Sequence, residues 1–221
     1  MFPFLYVTPR RIFERNGLPN TTGLGVASLN EAAHRDGQAL VGCTCMRTLV
    51  LDSSTARLGE LLEGRRRSGL DRLDEVWEGV LHMVPGPSGA HSLVEWQLAR
   101  LLGPLAELAG LHAGGQFNLG ESEEDFRVPD GGLHRTSPSG VWQRTAALVV
   151  EVVSPGDESW EKLPFYAAHR VDEVLIVDPR ERSVSWLALK DGEYRPIERS
   201  GLVDLGAQGL AEQLDWPPVD S

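Results

Sequence analysis

Ala146-Ala147-Leu148-Val149-Val150-Glu151-Val152-Val153 is a continuous apolar run with one acid inside it, closed by Ser154-Pro155-Gly156. A valine-rich run of this length, ended by breakers, reads as a central β-strand buried on both faces. Val174-Leu175-Ile176-Val177 reads as a second buried strand, stopped by Asp178-Pro179. Residues 158–169 between them suit a helix, so strands and helices alternate and the class is α/β. Further on, residues 183–189 and 193–198 flank Asp191-Gly192, which predicts a C-terminal β-hairpin.

Upstream, Leu58, Leu61 and Leu62 suggest a short helix over residues 55–64, ending near Gly64. Arg65-Arg66-Arg67 follows and reads as a solvated face rather than a phosphate clamp. Residues 75–84 read as a hairpin or bent strand around Glu78-Gly79, and Pro85–Gly89 as a loop. Residues 91–109 carry Leu93, Val94, Leu98, Leu101, Leu102, Leu105 and Leu108 at helical spacing, with a break expected at Gly103-Pro104. Short strands and turns then lead to Arg127-Val128-Pro129-Asp130-Gly131-Gly132. The expected architecture is a mixed central sheet flanked by helices.

Residues 1–45 differ from the rest. Asn16-Gly17, Pro19–Gly23 and Gly25 are turn signals without a sustained apolar period. They are expected to form a poorly structured N-terminal extension, with Met46 as the biological start and residues 46–221 as the folded domain. A native product that carried Met1 or Phe2 by mass spectrometry would refute the start site.

The 221 residues are 41% hydrophobic and 24% charged, a globular composition. No apolar run reaches the roughly 18 residues of a membrane span. Met1–Val7 is apolar, but arginines follow rather than precede it, which makes a poor secretory signal. Cys43 and Cys45 cannot build a disulfide framework, and no second Cys or His pair at zinc spacing follows. The expected compartment is the cytoplasm. The net charge of −11 divides into +3 over residues 1–72 and −14 over residues 73–221. Surface-wide attraction to nucleic acid is thereby excluded, and any such chemistry needs a local site. Only two lysines occur, Lys162 and Lys190.

Glu151 is the most informative residue. A carboxylate in the middle of that strand costs several kcal/mol to desolvate, of order 3–5, unless it is paired. An arginine partner and metal ligation both explain it. Asp130, after Pro129 at the end of the short stretch Phe126-Arg127-Val128, is by itself a turn residue. Lys162, in the helix after the strand, is by itself a surface lysine. Together, two carboxylates and an ammonium can hold a divalent cation, orient a water and stabilise a pentavalent phosphate.

At this point the stretch from about 73 to 216 resembles the Uma-two family of restriction endonucleases, within the PD-(D/E)xK nuclease superfamily. The resemblance rests on Glu75-Val76-Trp77-Glu78-Gly79, His91 opening a leucine-rich helix, and Val128-Pro129-Asp130. It continues through Leu148–Pro155, Glu161-Lys162 with Tyr166 one turn on, and Ile176-Val177-Asp178-Pro179. It implies a restriction-endonuclease-like core and Mg²⁺-dependent (or Mn²⁺-dependent) cleavage of DNA phosphodiester bonds. It maps the PD aspartate onto Asp130 and the second acid onto Glu151, both as metal ligands. The usual lysine position is Val153 here, and Lys162 in the next helix is the implied substitute. Glu75 and His91 match a family acid and histidine and are candidate supporting residues. Gly131-Gly132 stands where the family continues an apolar strand.

Three readings follow. The first is a metal-dependent DNA endonuclease using Asp130, Glu151 and Lys162, with weak intrinsic DNA affinity and a homodimer as the expected assembly. The second is a nuclease-like binding or regulatory module that does not cut. The third is a structural domain whose Glu151 pairs with an arginine. His82, His112, His134 and His169 show no ligand spacing and read as structural or solvated.

Overall fold

The computed structural model describes residues 48–50, 56–154, 156 and 158–218. These all fall in one compact unit, Gly42–Ser221. The expected extension over residues 1–45 and the Met46 start lie outside the described residues. The first half runs β1 (Thr48–Val50), α1 (Ala56–Ser68), β2 (Glu75–Trp77), β3 (Val80–Met83), α2 (Gly89–Leu108), β4 (His112–Gly114), β5 (Asn118–Ser122) and β6 (Asp125–Arg127). The second half runs β7 (Gly131–His134), β8 (Trp142–Gln143), β9 (Leu148–Val152), α3 (Leu163–Ala168), β10 (Glu173–Asp178), β11 (Ser183–Lys190), β12 (Glu193–Pro196) and α4 (Ala207–Ala211).

Two mixed sheets form. One has the order β1-β3-β2-β6-β5-β8 and the other β12-β11-β10-β9-β7-β4. The expected central sheet is the second, in which β9 and β10 run parallel and their neighbours antiparallel. The sheet of short strands was not legible as a separate layer, because strands of two to five residues carry too little periodicity.

The decisive run behaves as its composition requires. Every residue of β9 is buried, and successive side chains enter opposite cores. Leu148, Val150 and Val152 join Leu175, Val177 and Trp186 beneath Val94, Leu98, Leu102 and Ala106 of α2. Val149 joins Val174, Ile176 and Leu187 on the other face, under Tyr166 of α3 and Leu119 of β5. Glu151 stands in this second row, opposite Ile176 in the register.

Both hairpins close as expected, with left-handed backbone at Glu78-Gly79 (φ 50° and 83°) and Asp191-Gly192 (φ 52° and 85°). Three helices depart from expectation. α1 continues past Gly64 to Ser68, because Arg65 is drawn inward: its guanidinium donates to Asp74 and to the Leu70 and Val84 carbonyls. Arg66 and Arg67 remain exposed. α2 runs through Pro104, which lies on the exposed side together with Arg100, so water can serve the carbonyl that the proline leaves unbonded. α3 begins only at Leu163, since residues 159–162 form turns and Pro164 sets the first helical turn.

Gly131-Gly132 opens β7 rather than making a turn. A Cβ on Gly132 would meet Phe117 Cε1 at 2.7 Å and the Leu148 carbonyl oxygen at 2.9 Å. The glycine therefore permits close approach of Phe117 and β9, and the residue before the pair, Asp130, is set against β9.

The buried Glu173 carboxylate anchors the C-terminal segment. It accepts from Trp186 Nε1 (2.8 Å), Ser200 Oγ (2.6 Å) and the Gly201 amide (2.7 Å). Glu173→Ala leaves three donors without their acceptor and is expected to lower stability by about 2–3 kcal/mol, measured by urea unfolding.

Candidate active site

The C-terminal end of β9, the turn before α3, the start of α2 and the β2 strand converge on one group of charges. Glu151 is 2% exposed. Lys162 Nζ donates to both its carboxylate oxygens, at 3.1 and 3.2 Å. Tyr166 Oη donates to Glu151 Oε1. The partner of Glu151 is therefore a lysine and a tyrosine; the arginine pairing considered from the sequence does not form.

Lys162 immediately precedes α3 and bridges two acids, since Glu75 Oε1 lies 3.0 Å from its Nζ. Glu75 is fixed in turn: its Oε1 accepts from the Val128 amide (2.8 Å) and its Oε2 from Trp77 Nε1 (2.7 Å). Asp130 is held from both sides, Oδ1 by His91 Nε2 (3.1 Å) and Oδ2 by the Val152 amide (2.7 Å). His91 Nδ1 meets Ser154 Oγ at 3.0 Å. The helix cap belongs to Ser88, which accepts from the His91 amide, so the His91 ring is committed to Asp130. All five sequence candidates, Glu75, His91, Asp130, Glu151 and Lys162, thus come together.

The electrostatics show an excess of acid. Burial pushes the Glu151 carboxyl up to about 8; Lys162 pulls it down, while Asp130 and Glu75 push it further up. Burial alone would lower the Lys162 ammonium, yet Glu151 and Glu75 outweigh it and hold it above its ordinary value, so it stays charged. Burial and the neighbouring acids also keep Tyr166 protonated as a donor.

Several participants carried no assigned role in the sequence. Tyr166 lies four residues after Lys162, a spacing that places both toward Glu151. Glu95 lies four residues after His91 on α2; burial raises its carboxyl, Asp130 raises it further, and His91 lowers it. His82, read as structural or solvated, stacks on Trp77 at 4.2 Å and places Nδ1 3.0 Å from Glu158 Oε2. Arg127 sits between the Trp77 and Phe165 rings, 4.4 and 4.0 Å from their centroids, and donates to the Val76 carbonyl. The i,i+4 spacings and the Trp77–His82 pair across the expected hairpin were accessible to the sequence; the Arg127 sandwich was not, because Trp77, Arg127 and Phe165 lie far apart in sequence.

The donor set suits a hard divalent cation. Both Asp130 oxygens and Glu151 Oε2 accept one of these hydrogen bonds each and keep a second lone pair, whereas Glu151 Oε1 and Glu75 Oε1 are each engaged twice. Among the described residues no three His, Cys, Asp or Glu side chains form a metal cage. A cation here would take one or two carboxylates and complete its shell with water and phosphate oxygens, as Mg²⁺ does.

Removing the ammonium tests the charge balance. In Lys162→Met the pressures that raise Glu151 act unopposed by a cation. Its carboxyl therefore rises further, above the value of about 8 that it holds beside Lys162, so both folded proteins keep the proton between 4.5 and 8 and only the variant goes on losing stability as pH rises past 8. The variant is expected to be about 3–5 kcal/mol less stable than wild type, with a gap that holds steady from pH 5 to pH 7 and widens above pH 8, by chemical denaturation.

The Uma2 family model, described as a putative restriction endonuclease, matches residues 68–214. The crystal structure of a putative nuclease belonging to DUF820 from Anabaena variabilis ATCC 29413 is similar over 63% of this chain and 90% of its own. The two share 14% identity with a TM-score of 0.53. A cryoEM structure of a DrdV–DNA complex aligns with 55% of this chain and 11% of its own, at 19% identity and a TM-score of 0.30. No curated protein matches the chain. The fold is the restriction-endonuclease-like α/β core that the resemblance implied, and with more than half of its length matched the chain belongs to the Uma2 family, whose model carries that description.

Proposed function

We propose that this protein is a Mg²⁺-dependent endonuclease that hydrolyses phosphodiester bonds in DNA, with Asp130, Glu151 and Lys162 at its centre. One observation carries the reading: a single lysine ammonium is buried against Glu151 and Glu75 at 3.0–3.2 Å, beside an aspartate locked in place by His91 and a β9 amide. A structural ion pair needs one acid per base. Here three acids surround one ammonium, and burial still lifts Glu151 to about 8. With Glu151 ionised, the three carboxylates exceed the one ammonium by two charges, the charge of a divalent cation.

Asp130 and Glu151 would hold Mg²⁺ or Mn²⁺, which when bound supplies Lewis acidity toward phosphate and lowers the pKa of coordinated water. His91 and the Val152 amide keep Asp130 in one orientation, leaving its remaining lone pairs directed outward. Tyr166 holds Glu151 from the core side. Lys162 places fixed positive charge where negative charge builds on the phosphoryl oxygens, and Glu75 positions it through the ion pair. With a net charge of −11, this protein is expected to bind DNA weakly without help from a second copy or a partner.

Relaxation of supercoiled plasmid at low salt, with Mg²⁺ or Mn²⁺, tests the reading. Wild type is expected to nick, and Glu151→Gln and Asp130→Asn to be slower by about 10²–10³-fold. Equal cleavage by all three proteins would refute it. Mg²⁺ is also expected to raise the melting temperature of wild type but not of Glu151→Gln. A thermal shift without cleavage would assign a binding module that does not cut.

A further inference from the structure

Acids outnumber bases 25 to 11 over residues 73–221, yet three of those eleven basic residues meet in one cleft. Arg135, Arg144 and Arg170 line an open cleft of about 600 Å³, together with His169, Thr136 and Thr145. That volume lies within the range of small-ligand sites, about 300–1,000 Å³. Ala146 and Ala147, at the entry to β9, form part of its wall. Glu151 lies four residues beyond Ala147, roughly 13 Å along an extended strand, so the cleft is separate from the carboxylate site.

The arrangement favours an anion. Arg170 forms no ion pair among the described residues and is exposed. Its φ of 55° is a left-handed conformation that a non-glycine residue seldom adopts, held by Thr145 Oγ1 donating to the Arg170 carbonyl at 3.1 Å. Two acids share the cleft. Asp172 accepts from Arg135 at 2.8 Å, and Glu121 from Arg144 at 3.2 Å. Both pairs are exposed, with side-chain accessibilities of 63%/47% and 77%/61%, so they contribute little to stability and leave the guanidinium groups available. His169 Nδ1 donates to the Phe165 carbonyl, which turns Nε2 away from that bond. Burial, with a smaller push from His112, lowers His134 and keeps that ring neutral, so the positive charge in the cleft belongs to the arginines.

We infer that this cleft is a second site, which binds a phosphate group through Arg170 and Arg144, with Arg135 and the Thr136 hydroxyl completing the contacts. The planar guanidinium fork matches a phosphate with two parallel hydrogen bonds, and separate arginines can grip separate oxygens. The phosphate belongs either to a free phosphomonoester or to a nucleic-acid backbone; both present the same tetrahedral anion. The inference does not depend on the nuclease reading, because none of its residues belongs to the carboxylate site.

Inorganic phosphate, titrated against chloride at matched ionic strength and without divalent metal, is the first probe. At about ten times its Kd it is expected to raise the melting temperature of wild type by about 3–5 °C. Arg170→Asn removes the charge while suiting the left-handed backbone, and Arg144→Gln removes the other fork; each is expected to reduce or abolish the shift. A labelled single-stranded oligonucleotide is the second probe, read by anisotropy. Binding that phosphate displaces and Arg170→Asn weakens assigns a backbone phosphate to the cleft. A phosphate shift without oligonucleotide binding assigns a free phosphomonoester. No phosphate shift in wild type, or an equal shift in all three proteins, overturns the site. Plasmid nicking that survives in Arg170→Asn while the phosphate shift is lost separates this site from the catalytic one.

Discussion

A carboxylate in the middle of the central strand is the constraint around which this molecule is arranged. Glu151 faces a core otherwise built of Val149, Val174, Ile176 and Leu187, and it cannot go there alone. Lys162 and Tyr166 meet it from the α3 side, and Glu75 reaches the same ammonium from the other sheet. The ion pairs therefore join β9, the α3 turn and β2, three segments separated by up to 87 residues in sequence. Apolar residues at those positions would pack as well or better. The surplus of acid around one base is the feature on which the proposed active site rests.

The two layers divide the work. The face of β9 toward α2 is purely apolar and gives the strand a rigid seat, with Leu148, Val150 and Val152 locked against Leu98 and Leu102. The opposite face carries Glu151 and is closed by α3 and short strands, where the aromatic rings of Trp77 and Phe165 clamp Arg127. Asp130 enters from the strand next to β9, and its hydrogen bond to the Val152 amide ties both acids to one backbone. A site held by strand ends and one helix start is suited to chemistry that demands fixed positions. The acidic surface elsewhere implies that affinity for a polyanion must come from few, well-placed cations.

Much of this was legible in advance, for identifiable reasons. The β9 and β10 runs declared themselves because buried parallel strands need continuous apolar sequence. Asp191-Gly192 marked the last hairpin because few dipeptides accept two left-handed residues in a row. Glu151 was nameable because a carboxylate departs from what a buried strand requires, whereas Asp130 and Lys162 read by themselves as a turn residue and a surface lysine and gained their roles from the family resemblance. The limits of α1, α2 and α3 were not legible. Arg65 extends α1 through contacts with Asp74 and Val84, and α2 tolerates Pro104 because that side faces solvent. Neither fact is local. The Arg127 sandwich is the same case: nothing around that residue in sequence foretells that Trp77 and Phe165 enclose it.

The sequence by itself determined the α/β class, the central strands, the surplus of acid and the residues too costly to bury without purpose. These follow from periodicity and solvation, which act on each segment separately. Only the tertiary structure decided that Glu151 pairs with Lys162 and Tyr166, that Glu75 shares the same ammonium, and that His91 orients Asp130. It also decided that Arg135, Arg144 and Arg170 face one cleft. Those pairings join segments tens of residues apart. Their energies exist only once packing has excluded water and brought the charges within a few ångströms of one another.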